Sequence, residues 1–235
     1  VGQGGESGDG WFRIISGEPH PLGNVAIVLD GDDSGTATAT AAPAARAAAT
    51  RARMLFPHGA SAATAGALEA LGFHAHGAMP AMAVDIERLS PTALPAGHVW
   101  ERIDAGDAAR EWTDAMAAGY ELPRGLARML SPEVLGADMA GDADVQFFGV
   151  RHDGRLVCTS LLFLADGVAG IYCVATLPEA RGNGLGAHAT AEPLRIAHRL
   201  GYRVGVLQSS ESGHGVYRRL GFEDVAGIPL FIRMP

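Results

Sequence analysis

The chain has 235 residues, 48% of them apolar, which allows one large domain or two small ones around a sizeable buried core. Charged residues make up 19% and the formal net charge is −8, without long like-charge blocks, which argues against wrapping nucleic acid or docking on an anionic membrane. All 18 basic residues are arginine and none is lysine, so a phosphate-loop lysine and any pyridoxal or Schiff-base amine are excluded.

Residues 1–10 are Gly-rich and polar, unlike a leader, and are expected to be disordered or loosely docked. Strands are expected over 11–15 and 25–29. The alanine tract over 36–53 favours helix after Pro43 and loop before it. Residues 54–56 are a short apolar run ended by Pro57; Ser61 then caps a helix through 71, Gly72 stops it, and 77–86 reads as a strand pair bent at Pro80. The stretch 89–97 carries Pro91 and Pro95, and 91–97 is the expected linker between a part at 11–90 and a part at 98–235.

Beyond it come a strand at 98–102, a helix at 107–118 with Trp112 and Met116 four apart, and a shorter helix at 122–130. Strands at 146–151, 156–165 and 168–176 are joined through Asp153-Gly154 and Asp166-Gly167, strong hairpin steps. A glycine-rich loop at 181–186 opens a helix to residue 200, with an apolar stripe at Leu185, Ala189, Ile196 and Leu200 and a kink expected from Pro193. A strand at 202–208, a helix at 212–220 stopped by Gly221, and a strand pair over 222–232 bent near Pro229 complete the chain. No apolar run approaches the ~20 residues of a membrane helix. Cys158 and Cys173 are too few for a disulfide framework or structural zinc, and they read as reduced thiols in a cytoplasmic setting.

An ungapped match of residues 61–83 with 210–232 aligns Ser61 with Ser210, Gly66 with Gly215, Leu71-Gly72-Phe73 with Leu220-Gly221-Phe222, and Pro80 with Pro229. The first part therefore reads as a partial, degenerate copy of the end of the second.

The informative chemistry lies between residues 171 and 222. Three alternating glycines, Gly182, Gly184 and Gly186, strip side chains from a loop that opens a helix, so consecutive amides can line a nest for a diphosphate, with Arg181 as the loop's formal positive charge. Gly182, Gly184 and Ala187 also satisfy a dinucleotide-fold G-x-G-x-x-A. Against that stand the distance of the glycines from the strand, Gln208 where an acid is needed, and hairpin-linked preceding strands.

From about residue 98 to 233 the chain resembles the GCN5-related N-acetyltransferase (GNAT) superfamily. Arg181, Gly184 and Gly186 meet its pyrophosphate motif R/Q-x-x-G-x-G/A, and Tyr217, Gly221 and Phe222 meet its Y-x-x-x-G-F helix ending. The resemblance implies an α/β (α+β) fold with a mixed, mostly antiparallel sheet flanked by helices, here preceded by the partial repeat. It implies an acyl-CoA cofactor, usually acetyl-CoA, no metal, and transfer of the acyl group to an amine of a small molecule or peptide by direct attack. The diphosphate would lie on Arg181, Gly182, Asn183, Gly184, Leu185 and Gly186. The pantetheine arm would run along Cys173, Val174, Ala175 and Thr176, with the Val174 amide as oxyanion donor. Ser209, Ser210 and Ser212 stand where the family often has an Asn touching that arm, and Ser210 is taken as the contact.

Tyr217 suits a proton donor to the departing thiolate, because a phenol with pKa ~10 stays protonated at neutral pH. Its counterpart in the first copy is Leu68, so that copy is expected to be inactive. The general base is open among Glu179, Glu211, His214 and Tyr172, with His214, three residues before Tyr217, placed first. His74 and His76 form an H-x-H without a nearby carboxylate or cysteine and read as non-ligating. Cys173 reads as a structural thiol. The helices within 104–131 are expected on the acceptor side, offering Trp112, Met116, Tyr120, Leu122, Leu126 and Met129 with Asp114 and Glu121. The competing reading is a non-catalytic acyl-CoA sensor. The chain is expected to be a monomer with an intramolecular pseudo-dimer, or a homodimer.

Overall fold

The computed structural model describes residues 4–16, 18, 20–28, 45, 47–49, 51–57, 61–138 and 144–234. The chain divides into two compact units, Val1–Pro80 with Ala226–Pro235, and Ala81–Val225.

In the first unit, β1 (Gly4–Gly8), β2 (Trp11–Ile15) and β3 (Asn24–Val28) form an antiparallel meander, and β4 (Met54–Pro57) runs parallel to β3. Residues 4–8, expected to be loose, are instead paired in full with β2, from Gly4↔Ile15 to Gly8↔Trp11. The glycines permit this by close approach: a Cβ on Gly8 would lie 2.4 Å from Trp11 Nε1, and one on Gly5 2.8 Å from Phe12 Cε2. Of the alanine tract, Ala45, Ala47 and Ala48 are helical, while residues 36–44 lie outside the described residues.

Helix α1 (Ala62–Glu69) starts at Ser61, whose Oγ accepts from Thr64 N, and the turn after it uses Gly72 at φ 80°. Strand β5 (His74–Asp85) follows. The unit's core gathers Ile15, Ala26, Val28, Leu55, Leu68, Phe73 and Phe231.

The second unit holds β6 (His98–Ile103), β7 (Val145–His152), β8 (Arg155–Ala165), β9 (Val168–Thr176) and β10 (Val204–Gln208), in the order β5-β10-β9-β8-β7-β6. β6 to β9 are antiparallel neighbours. The hairpin turns place Asp153-Gly154 and Asp166-Gly167 at positive φ, as two-residue loops matched to strand twist require. The single parallel step, β9 to β10, is bridged by α5 (Leu185–Arg199). This is an α/β fold with a mostly antiparallel sheet flanked by helices.

One face of that sheet packs on α2 (Asp107–Tyr120) and α3 (Arg124–Arg128) through Trp112, Met116, Ala127, Phe147 and Leu161. Trp112 is fully buried and its indole N–H donates to Phe148 O at 2.9 Å, so its polar atom is satisfied. A one-turn α4 (Leu135–Asp138) lies between α3 and β7 in the chain. The other face packs Phe148, Leu162, Ile171 and Leu207 against Ala191, Leu194 and Ala197 of α5 and Leu220 of α6 (Glu211–Leu220). α5 runs unbroken past Pro193.

The strand pairs expected to bend at Pro80 and Pro229 are single strands, β5 and β11 (Glu223–Ile232). β10 pairs only with residues 81–85 of β5, and β4 only with Phe231 and Ile232 of β11, so neither ladder needs the amide that proline lacks. The units divide inside these two strands, and not at the expected linker 91–97. That stretch is fastened within the second unit: Ser90 N donates to Leu220 O at 3.0 Å, and Arg195 donates to Ser90 O at 3.1 Å and Thr92 Oγ1 at 3.2 Å. The two repeat segments share local geometry. Ser61 and Ser210 each accept from the amide three residues on at 3.2 Å, Gly72 and Gly221 both take positive φ, and Phe73 and Phe222 are both buried.

Candidate active site

The site grows from a defect in the sheet. β9 pairs with β8 as far as Thr176, but with β10 only over Val168–Gly170, so the two parallel strands part beyond Gly170. On its other edge β9 is bulged: Thr159 faces Ala175 and Leu161 faces Tyr172, leaving Cys173 and Val174 against Ser160. Cys173 takes φ 53°, an uncommon conformation for a side-chain-bearing residue, and Thr159 Oγ1 donates to its carbonyl at 2.9 Å. Two hydroxyls near this opening, Ser160 Oγ and Ser209 Oγ, are buried without a hydrogen-bond partner among the described residues.

The glycine loop follows the short 3-10 turn Pro178–Ala180. Gly182 and Gly184 take φ 81° and 77°, with open space where a Cβ would stand, and Gly184 caps α5 without a side-chain hydrogen bond. The amides of residues 182–187 find no acceptor among the described residues. A Cβ on Gly186 would lie 3.8 Å from Thr176 Oγ1 and 3.9 Å from Val174 Cγ1, so the first turn of α5 faces β9 across a gap about one methyl wide. Asn183 folds back onto the loop, its Nδ2 donating to Ala180 O at 3.3 Å and Arg181 O at 3.4 Å. Arg181 donates to Thr176 O at 3.2 Å and Gly119 O at 2.9 Å, and no carboxylate pairs with it among the described residues.

Helix α6 presents Tyr217 half-buried, with its ring 6.0 Å from Phe222. Burial, then Cys158, pushes the phenol up to about 12, against a smaller downward effect of its hydrogen bond with Thr190. Thr190 Oγ1 in turn donates to Gly186 O at 2.8 Å, which links Tyr217 to the start of α5. Tyr120 is 42% exposed, yet its hydroxyl is also raised, first by local burial, then by Cys173, Tyr217 and Cys158, which places it near these three groups. Burial lifts Cys158 to about 11, although Thr176 Oγ1 lies 3.2 Å from its sulfur, and lifts Cys173 to about 12; neither is a thiolate at neutral pH.

A stability consequence follows. In the unfolded chain the thiols lose their protons near 9, while the folded ones keep them to about 11 and 12, so above pH 9 the folded state binds more protons and stability falls as pH rises. Cys158 alone accounts for about 3 kcal/mol over its two-unit window. With no lysine to titrate in that range, the thermal midpoint measured from pH 8 to 11 should drop steeply, and less so in a Cys158→Ala/Cys173→Ala variant. Equal slopes in the two proteins would contradict this.

Residues 110–222 match the model of the Acetyltransferase (GNAT) family. This segment is a GNAT domain. The structure is similar to a GCN5-related N-acetyltransferase from Kribbella flavida, with a TM-score of 0.70 and 21% identity over 99% of this chain and 90% of that one. It is also similar to a GCN5-related N-acetyltransferase from Sphaerobacter thermophilus (TM-score 0.63, 15% identity, 94% and 76% of the chains). A third likeness is to a tandem GNAT protein from the clavulanic acid biosynthesis pathway (TM-score 0.62, 18% identity, 94% and 77%). At these identities the likenesses establish the fold. No curated protein matches the chain.

Within the GNAT domain, the strand residues 173–176, the loop 181–186 and Tyr217 lie around the opening between β9 and β10. Ser210 spends its hydroxyl on the start of α6, accepting from Gly213 N and sharing with Ser212 Oγ at 3.2 Å. The other candidates have partners of their own. His214 Nε2 lies 2.8 Å from Asp224 Oδ1, and Arg218 reaches the same carboxylate at 3.5 Å. Glu179 pairs with Arg155 at 2.8 Å, and its carboxyl is held low by its own backbone amide first and by Arg155 next. Tyr172 is raised by burial, against a hydrogen bond to Gln208. His74 and His76 are exposed on β5, and no group of three or more metal-ligating side chains occurs among the described residues.

The links through Gly119 and Thr190 were missed from sequence, and Tyr120 was named only as one of the residues expected on the acceptor side. The glycine at 119 in an otherwise good helix was the one visible signal.

Proposed function

We propose that the protein is an acyl-CoA-dependent N-acyltransferase that passes an acyl group, taken as acetyl, to an amine by direct attack. The observation that carries this is the row of unpaired amides at residues 182–187, set at the positive end of α5 beside the bulged edge of β9. The residues fit the coenzyme: bare amides and a helix dipole suit its diphosphate, and the methyl-wide gap at Gly186 admits backbone-close approach. When bound, the coenzyme supplies an acyl group on a thioester and a thiol leaving group.

The chain's own residues do the rest. Gly182 to Gly186 hold the diphosphate, and the open edge of β9 at residues 173–176 orients the pantetheine arm, with the Val174 amide, turned by the bulge, stabilising charge on the acyl oxygen. Ser210 fixes the first turn of α6 and so the position of Tyr217, whose phenol stays protonated at neutral pH and gives its proton to the departing sulfur as the attacking amine nitrogen releases one to replace it, so that amine and thioester become amide and thiol. The part of the chain carrying α1 is read as a degenerate copy: Leu68 stands where Tyr217 does and lacks any proton to give.

The test is calorimetric titration with coenzyme A together with thiol release from acetyl-CoA across a panel of amines. Binding with amine-dependent release supports the enzyme. Binding without release from any amine assigns a coenzyme sensor, and no binding at saturating coenzyme overturns both.

A further inference from the structure

We infer that Arg181 is a positioning residue that clasps the C-terminal end of α2 to the end of β9, and that its guanidinium is not a ligand of the diphosphate. This rests on the acyltransferase reading of the same site. The guanidinium bridges two main-chain carbonyls from distant parts of the chain, Thr176 O at 3.2 Å and Gly119 O at 2.9 Å. A planar fork of donors suits such a bridge better than an ammonium would.

The two carbonyls are neighbours for a reason. A Cβ on Gly119 would stand 2.9 Å from Ala175 Cβ and 3.2 Å from Thr176 N, so α2 meets β9 there at backbone distance, which a side chain would forbid. Gly119 O is also an orphan of the helix terminus. Ala117 O and Ala118 O accept from Leu122 N and Glu121 N in the closing turn, at 2.8 and 3.3 Å, whereas Gly119 O has Arg181. A cation at a helix C-terminus is favoured by the helix dipole as well. On the acyltransferase reading the diphosphate does not need the charge, because the amides of residues 182–187 have no acceptor among the described residues.

What the clasp positions is the segment after Gly119. The next residue is Tyr120, whose hydroxyl is raised by burial first and then by the nearness of Cys173, Tyr217 and Cys158, and Glu121 turns the chain at φ 57°. Arg181 thus joins the glycine loop to the end of α2, the helix that the acyltransferase reading puts on the acceptor side. Losing it should loosen the acceptor side and leave the coenzyme side intact.

The test compares wild type with Arg181→Met, which removes every donor, and Arg181→Gln, which keeps a neutral donor. Calorimetry with coenzyme A should give dissociation constants within threefold for all three proteins. Hydrogen exchange of the coenzyme-free protein should show protection over residues 117–122 reduced tenfold or more in Arg181→Met and largely restored in Arg181→Gln. With the amine that wild type turns over fastest in the panel, Arg181→Met should raise the amine KM or lower kcat tenfold, with the acetyl-CoA KM unmoved.

A tenfold or greater loss of coenzyme A affinity in Arg181→Met makes the guanidinium a phosphate ligand and overturns the inference. Unchanged exchange over 117–122 overturns it too. If no amine supports turnover, the acyltransferase reading falls, while affinity and exchange still decide the clasp.

Discussion

Tyr217→Phe is expected to lower kcat by about 10²- to 10³-fold while coenzyme A affinity stays within threefold of wild type. The size follows from what a positioned general acid contributes, ~10²- to 10⁴-fold. The substitution removes only a hydroxyl: the ring keeps its edge contact with Phe222, and Thr190 keeps its bond to Gly186 O, so no polar group is stranded and stability should change by about 1 kcal/mol or less. The pH dependence supplies a second check. Because the phenol is pushed up to about 12, wild-type activity should show no loss from deprotonation of Tyr217 below about pH 11. Stopped-assay rates across an amine panel, with calorimetry on the same samples, decide the matter. A loss of less than threefold in kcat would remove Tyr217 from the chemistry.

Gly186→Val should leave a folded protein that binds coenzyme A a hundredfold or more weakly. Gly186 lies in the first turn of α5, where glycine is the poorer helix former by about 1 kcal/mol, and a Cβ there meets Thr176 Oγ1 and Val174 Cγ1 only at ordinary contact distance. The protein therefore tolerates a side chain at this position. What the side chain fills is the gap between the amides of the glycine loop and β9, through which, on the proposed function, the arm of the coenzyme passes. Gly186→Ala, which the pyrophosphate motif itself allows, should bind coenzyme A within about threefold of wild type, with a thermal midpoint equal to or above it, so that bulk beyond Cβ is what the Val variant tests. Gly184 is a different case, since at φ 77° a side chain costs about 1–2 kcal/mol of backbone strain and would confuse fold with binding. If Gly186→Val were folded and bound coenzyme A as wild type does, the amide cradle would not be the coenzyme site.

Much of this architecture is legible one residue at a time, because its signals are local. Asp153-Gly154 and Asp166-Gly167 turn two hairpins since few residues other than glycine, asparagine and aspartate accept positive φ. Ser61 and Ser210 open helices, and Gly72 and Gly221 close them, by bonds within four residues. The glycine loop is legible for the same reason: its amides are bare by composition.

Three readings failed because they depended on what each segment is paired with or packed against, near in the chain for β1 and far from it for the other two. The glycines of β1 look loose until Trp11 and Phe12 are laid over them. Pro80 and Pro229 look like breaks until β10 is seen to pair only with residues 81–85 and β4 only with Phe231 and Ile232. Pro91 and Pro95 look like a linker until Arg195 ties the stretch to α5.

By itself the sequence determined the order of the elements, the caps and turns between them, and the loop whose stripped backbone can accept a diphosphate, since each depends on conformational preferences within a few residues. Only the tertiary structure decided where β9 bulges and leaves β10, which thiols are buried beside Tyr217, and that Arg181 donates through Nε and Nη2 to the Thr176 and Gly119 carbonyls. Those are properties of burial and of contacts between residues far apart in the chain, 62 positions for Arg181 and Gly119, and no local preference encodes the distance between such groups.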